Sequence, residues 1–152
     1  MNLDKAESGD GMGETIKLTA LGAVAFMVLD GVWLGLLMKN FYIGQLAPIA
    51  RVVNGRMAPN WPAAFVVYAL LGLGIALLVI PRASTTSLAA SYGALFGLVV
   101  YGVYDFTNYS TLRPWPLVVA LAAVAWGVAA SAACSVAVRV SGSSAPGAGM
   151  VG

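Results

Sequence analysis

Four apolar stretches limit what this chain can become more than any other feature. They cover residues 18–38, 63–80, 88–108 and 117–138, and their only charges are Asp30 and Asp105. A hydrocarbon core about 30 Å thick is crossed by roughly 20 apolar residues in helical form. Each stretch is close to that length, and a helix satisfies its own backbone groups where no water is available. Composition agrees: 60% of the 152 residues are hydrophobic and 9% charged, against about 25% charged in a soluble domain. The expected fold is all-α, an integral membrane four-helix bundle forming one domain over residues 18–138.

The flanks read differently. Residues 1–17 hold four of the six acids, Asp4, Glu7, Asp10 and Glu14, and are expected to form a flexible tail. Those acids outnumber Lys5 and Lys17, which argues against a signal-peptide start. Residues 139–152 are rich in Gly, Ser and Ala and read as a disordered tail. In the connection over residues 39–60, Tyr42, Leu46, Ile49 and Val53 recur at spacings of four, three and four. That pattern predicts a short amphipathic helix in the membrane interface, interrupted by Pro48. Trp61 and Pro62 are suited to the entry of the second span. Gly31 with Gly35, and Gly93 with Gly97, form G-x-x-x-G pairs of the kind that let helices approach closely.

Polar groups within spans carry the functional signal. An Asp at a helix centre costs roughly 2.5–3.5 kcal/mol to insert, less near the ends, so such groups face a bundle interior or cavity and often mark function. Trp33 lies one turn after Asp30 and shares its face, and Tyr68 is the single phenol of the second span. In the third span Tyr101, Asp105 and Asn108 follow i, i+4, i+7, with Tyr104 beside them and stacked over Asn108. Four spans put both termini on one side and the connections around 39–60 and 109–115 on the other. Asp30 precedes Lys39 by nine residues and Asp105 precedes Arg113 by eight, so the two acids fall in the same half of the membrane. Lys39, Arg51, Arg56 and Arg113 would then rim a polar pocket, an arrangement suited to an anionic amphiphile.

Asp30 and Asp105 are the candidate catalytic residues, able to act as general acid and base if their environments differ. Trp33, Tyr68, Tyr101, Tyr104, Asn108 and Arg113 are the candidate ligand-binding residues. Each has a structural counterpart reading. Asp105 can be a helix-end carboxylate, and Asp30 a hydrogen-bonded group between helices. The tyrosines suit interfacial anchors, and Trp33, Trp126 and Cys134 suit packing. No histidine and one cysteine exclude His-box iron sites, zinc-hydrolase motifs, Ser-His-Asp triads and an intrachain disulfide. No cofactor or metal is expected. Lys and Arg divide four and four between the two sides, so the positive-inside rule sets no orientation.

Several short motifs recur in a fixed order: Leu29-Asp30-Gly31-Val32-Trp33-Leu34-Gly35, Asn60-Trp61, Gly93-Ala94-Leu95-Phe96-Gly97, Tyr104-Asp105 with Thr107-Asn108, and Arg113-Pro114-Trp115-Pro116-Leu117. In these the chain resembles a bacterial membrane family catalogued as domain of unknown function 2177, over about residues 17–138. The resemblance implies a four-span, multi-pass protein of the bacterial inner membrane and points toward a lipid role. It assigns no activity and no catalytic residues. Arg113 stands where a lysine or asparagine is expected in relatives.

Three functions fit these features. The first is lipid or anionic-amphiphile binding in an intramembrane pocket, as an enzyme of lipid modification or an accessory to one. The second is a small proton-coupled, homo-oligomeric transporter. The third is a structural or assembly subunit of a membrane complex. Membrane lipids are the expected partners, with a second copy of the chain or another membrane protein as further candidates, and no nucleic acid.

Overall fold

The computed structural model describes residues 3–54 and 56–143, with the side chains of 3–10, 56, 57 and 143 left aside. Helix α1 covers Leu3–Val32 and continues through a π turn at Trp33–Leu37. Met38 ends that turn: its N–H reaches the Trp33 carbonyl at 2.7 Å, and its φ of −112° and ψ of 10° redirect the chain. Helix α2 follows as Lys39–Leu46. A hairpin then pairs β1, Val52–Val53, with β2, Arg56–Met57, antiparallel in the register Val52↔Met57 and Val53↔Arg56. Asn54 enters its turn at φ 51°, a left-handed conformation that Asn tolerates.

Helix α3 is Trp61–Gly74, capped by the Asn60 side chain, whose Oδ1 accepts from Ala63 N–H at 3.3 Å, with Pro62 in the first turn. It runs on through a π turn at Ile75–Val79 and a 3₁₀ turn at Ile80–Arg82. Helix α4, Thr86–Thr111, begins where Thr85 Oγ1 accepts from Leu88 N–H at 3.2 Å. Helix α5 is Leu117–Ser143. Among the described residues four segments are long and apolar enough to cross a membrane: Gly11–Leu37, Trp61–Arg82, Thr86–Thr111 and Leu117–Gly142. The chain is an all-α membrane bundle.

The packing is that of helices in lipid. Val24, Val28, Val66, Leu70, Leu95, Val99 and Val103 all point outward, while Ala76, Ala89, Ala120, Ala130, Ser131, Cys134 and Ser135 are buried. Lipid solvates Leu and Val as well as a core does, so small residues gather where backbones meet. Helix α4 packs along α5 and α1 along α3, and α1 also touches α5. At the α1–α3 crossing a Cβ on Gly22 would stand 2.9 Å from Gly72 Cα. Gly93 and Gly97 are likewise pressed against Ser131, Ser135 and Gly127 of α5, as their spacing predicts. At the far end Arg139 donates to the Ser84 carbonyl and ties α5 to the α3–α4 loop.

Three expectations change. The flexible tail predicted for residues 1–17 is helical from Leu3. Extending an existing helix needs no new nucleus, no proline interrupts the segment, and Thr15 Oγ1 donates back to the Gly11 carbonyl at 2.9 Å. The tail predicted for 139–152 is helical through Ser143, and its remainder lies outside the described residues. The predicted interfacial helix exists as α2 but stops before Pro48, leaving Ile49 and Val53 exposed outside it. Its buried residues, Tyr42 and Leu46, meet Val119 under the cover of Trp33, Phe41 and Trp115. Helix α2 therefore caps the bundle end.

Candidate intramembrane cavity

The α1–α3 pair is tightly apposed at Gly22 and Gly72 and opens into a wedge toward the Lys39 end. Here Gly31 and Gly35 have open space where a Cβ would stand, with no atom within 4 Å. They line a cavity of about 600 Å³ and make no helix contact, contrary to the reading of their G-x-x-x-G spacing. Met27 and Leu34 of the first span, with Ala64 and Trp61 of α3, complete the apolar walls, and Leu46, Ile49, Ala50 and Pro59 roof it. Trp115 enters from the α4–α5 turn. Three polar side chains reach this space: Asp30, Tyr68 and Arg51.

Asp30 is held from the other half of the molecule. Its Oδ1 accepts a hydrogen bond from Trp126 Nε1 of α5 at 2.8 Å. Trp33 lies flat on Trp126, with ring centroids 4.4 Å apart and planes 2° from parallel. The turn-spacing that puts Trp33 on the Asp30 face thus delivers it to the indole that fixes Asp30. Tyr68 stands beside Asp30 on the α3 wall, its phenol within interaction range of the carboxyl. Arg51 follows the Ala47–Ala50 turn; its backbone carbonyl accepts from Ala58 N–H at 2.8 Å, and its side chain makes no hydrogen bond or ion pair among the described residues.

Asp105 has a different setting. It is 2% exposed and does not line the cavity. Trp115 Nε1 lies close to the carboxyl but outside hydrogen-bonding geometry. Trp33 Nε1 stands in the same relation to the Tyr42 hydroxyl. Burial pushes the Tyr42 phenol up from its ordinary value; the Trp33 indole opposes the shift, and Asp105 and Asp30 add to it. Tyr42 and Tyr101 each feel both acids, so Asp30 and Asp105 do share one half of the bundle. Asp30 lines this cavity and Asp105 does not, so the two acids do not meet in it.

The remaining candidates separate. Tyr101 is half-buried against Gly127 and faces Asp30 and Tyr68 from α4. Tyr104 is 61% exposed and turns its edge to Trp115 at 6.0 Å and 80°, in place of stacking over Asn108. Asn108 Nδ2 is buried without a hydrogen-bond partner. Arg113 is exposed on the α4–α5 turn, away from the cavity lining. Sequence reasoning set Arg51 on a basic rim and Trp61 at the entry of the second span but left both, with Trp115, out of the site. Proximity to Trp-Pro dipeptides was the available signal for both tryptophans. Nothing local could pair Asp30 with Trp126, 96 residues away.

Comparison with curated proteins and with solved structures finds no match. A family model described as "Predicted membrane protein (DUF2177)" matches residues 15–140, which takes in two of the four spans whole, most of the other two, and every residue that lines the cavity. The chain therefore belongs to that family of multi-pass membrane proteins.

Proposed function

We propose that this protein, set in the bacterial inner membrane, binds a membrane amphiphile in the wedge between α1 and α3. The observation that carries the reading is the cavity of about 600 Å³, with apolar walls, the Arg51 side chain, which has no hydrogen-bond or ion-pair partner among the described residues, and a carboxyl and a phenol from Asp30 and Tyr68. Its volume falls in the range of pockets that enclose one small ligand, roughly 300–1,000 Å³. The placement of charge has a direct chemical reading. An anionic head meets Arg51 beside Trp61, at the end of the wedge nearest the surface, and the apolar part lies along Leu34 and Ala64. A carboxyl inside a span is costly and is kept where it meets a polar partner. This reading uses Asp30 alone of the two acids.

Native mass spectrometry of the protein released from its own membrane tests the proposal. The wild type is expected to carry a discrete amphiphile. Gly35→Leu, which fills open space, is expected to lose it, and Asp105→Asn, outside the lining, to keep it. Identical bulk lipid on wild type and Gly35→Leu would overturn the reading.

A further inference from the structure

We infer that the ligand of this cavity is polar at both ends, with an anion on Arg51, an apolar body, and a far-end hydroxyl on Asp30 and Tyr68, as in an ω-hydroxy fatty acid of medium length. The inference rests on the binding reading above and names the ligand class for the same site.

The order of residues along the two walls carries the argument. The first span runs toward the Lys39 end, and α3 runs back from it. Asp30 on one wall and Tyr68 on the other therefore stand at the inner end of the cavity. Gly31, Leu34 and Gly35 follow Asp30, and Ala64 precedes Tyr68, so these positions lie between that polar end and Arg51. Of the lining, Met27 alone lies deeper. Trp61, at the outer end, is seven residues from Tyr68, about 10 Å at 1.5 Å per residue. With its anion on Arg51, a ligand lays its apolar body along Leu34 and Ala64 and brings its far end to Asp30 and Tyr68. An extended chain of about eight carbons, with bonds of about 1.5 Å in a zigzag, covers that distance.

The chemistry of the far end follows from what it meets. A methyl end, as on an ordinary acyl chain, would shut water away from the carboxyl and the phenol and offer neither a partner. Oδ1 of Asp30 takes the Trp126 N–H at 2.8 Å, and a carboxyl has further lone pairs to offer. A hydroxyl donates to one of these and accepts from the Tyr68 phenol. An ammonium also donates, but it brings a charge past apolar walls, and a carbonyl only accepts. The Trp33–Trp126 stack behind Asp30 holds the acceptor in place before the ligand arrives.

The test uses the full chain in lipid nanodiscs and four water-soluble probes: octanoate, its ω-hydroxy derivative, its α-hydroxy derivative and its ω-amino derivative. Affinities are read by titration calorimetry against empty nanodiscs. The ω-hydroxy acid is expected to bind about tenfold or more tightly than octanoate, the ratio a hydrogen bond to a charged group supports. The α-hydroxy isomer, whose hydroxyl stays at the anionic end, should gain nothing. The ω-hydroxy preference should vanish in Asp30→Ala and shrink in Tyr68→Phe, which keeps the shape of the wall if Asp30→Ala folds poorly. Arg51→Gln should weaken octanoate and the ω-hydroxy acid alike and leave their ratio unchanged. Equal binding of those two, or tighter binding of the α-hydroxy or ω-amino acid, overturns this inference. So does failure of all four to bind. The amphiphile reading stands or falls separately, on whether the protein from its own membrane carries a discrete amphiphile that Gly35→Leu loses.

Discussion

At the scale of the residue, Asp30 shows how a membrane protein keeps a carboxyl in a span. One oxygen accepts from Trp126 at 2.8 Å, and the indole that donates is itself clamped by Trp33. Trp126→Phe retains a ring for Trp33 to stack on and removes only the N–H. It is expected to lower stability by about 0.6–2 kcal/mol, the measured scale of interhelical hydrogen bonds in membranes. Denaturant titration in detergent micelles would check this, and a double cycle with Asp30→Ala should show that the two losses are not additive. Asp30 and Tyr68 were legible in the sequence because each is the odd polar group in an apolar span. Trp126 was not, since an indole in the middle of an alanine-rich helix looks the same whether it packs or donates.

At the scale of the element, identical motifs do opposite work. Gly93 and Gly97 close the α4–α5 contact, whereas Gly31 and Gly35 keep a wedge open. G-x-x-x-G spacing shows that a helix has a groove along one face, and only the neighbouring helix decides whether the groove is filled. The contrast predicts unlike responses to the same substitution. A Cβ at Gly72 would run into the Thr19 carbonyl and lie 2.8 Å from Ala23 N, both backbone atoms of α1. Gly72→Ala should therefore cost about 1–3 kcal/mol as the helices separate. Gly31→Ala meets nothing within 4 Å and should be neutral or stabilising by up to about 1 kcal/mol from helix propensity. Thermal unfolding of the two variants side by side measures the difference. Helix α2 was legible from the spacing of Tyr42 and Leu46. The hairpin after it had its own signal, the Asn54-Gly55 dipeptide after Val52-Val53, hidden by reading Val53 as a fourth helical position.

At the scale of the whole molecule, the bundle is two hairpins of helices, α1–α3 with α2 and the short β1–β2 hairpin in its connection, and α4–α5, joined by the short loop after Arg82. Lys39 and Arg113 fall at one end, Arg82 and Arg139 at the other. Single-cysteine variants on a Cys134→Ala background, labelled with an impermeant maleimide in sealed vesicles, should report Lys39→Cys and Arg113→Cys from the same face. Arg82→Cys should report from the opposite face. Labelling of the first two from opposite faces would refute the four-span topology. The sequence by itself determined the number of spans and their order. Those follow from the length of apolar runs and the 1.5 Å rise of a helix, which are local properties. Only the tertiary structure decided that Asp30 opens on a cavity and Asp105 does not. That depends on the angle at which α1 leaves Gly72 and on which helix Trp126 meets. Both are contacts between residues far apart in the chain, where apolar residues facing lipid and facing protein have the same composition.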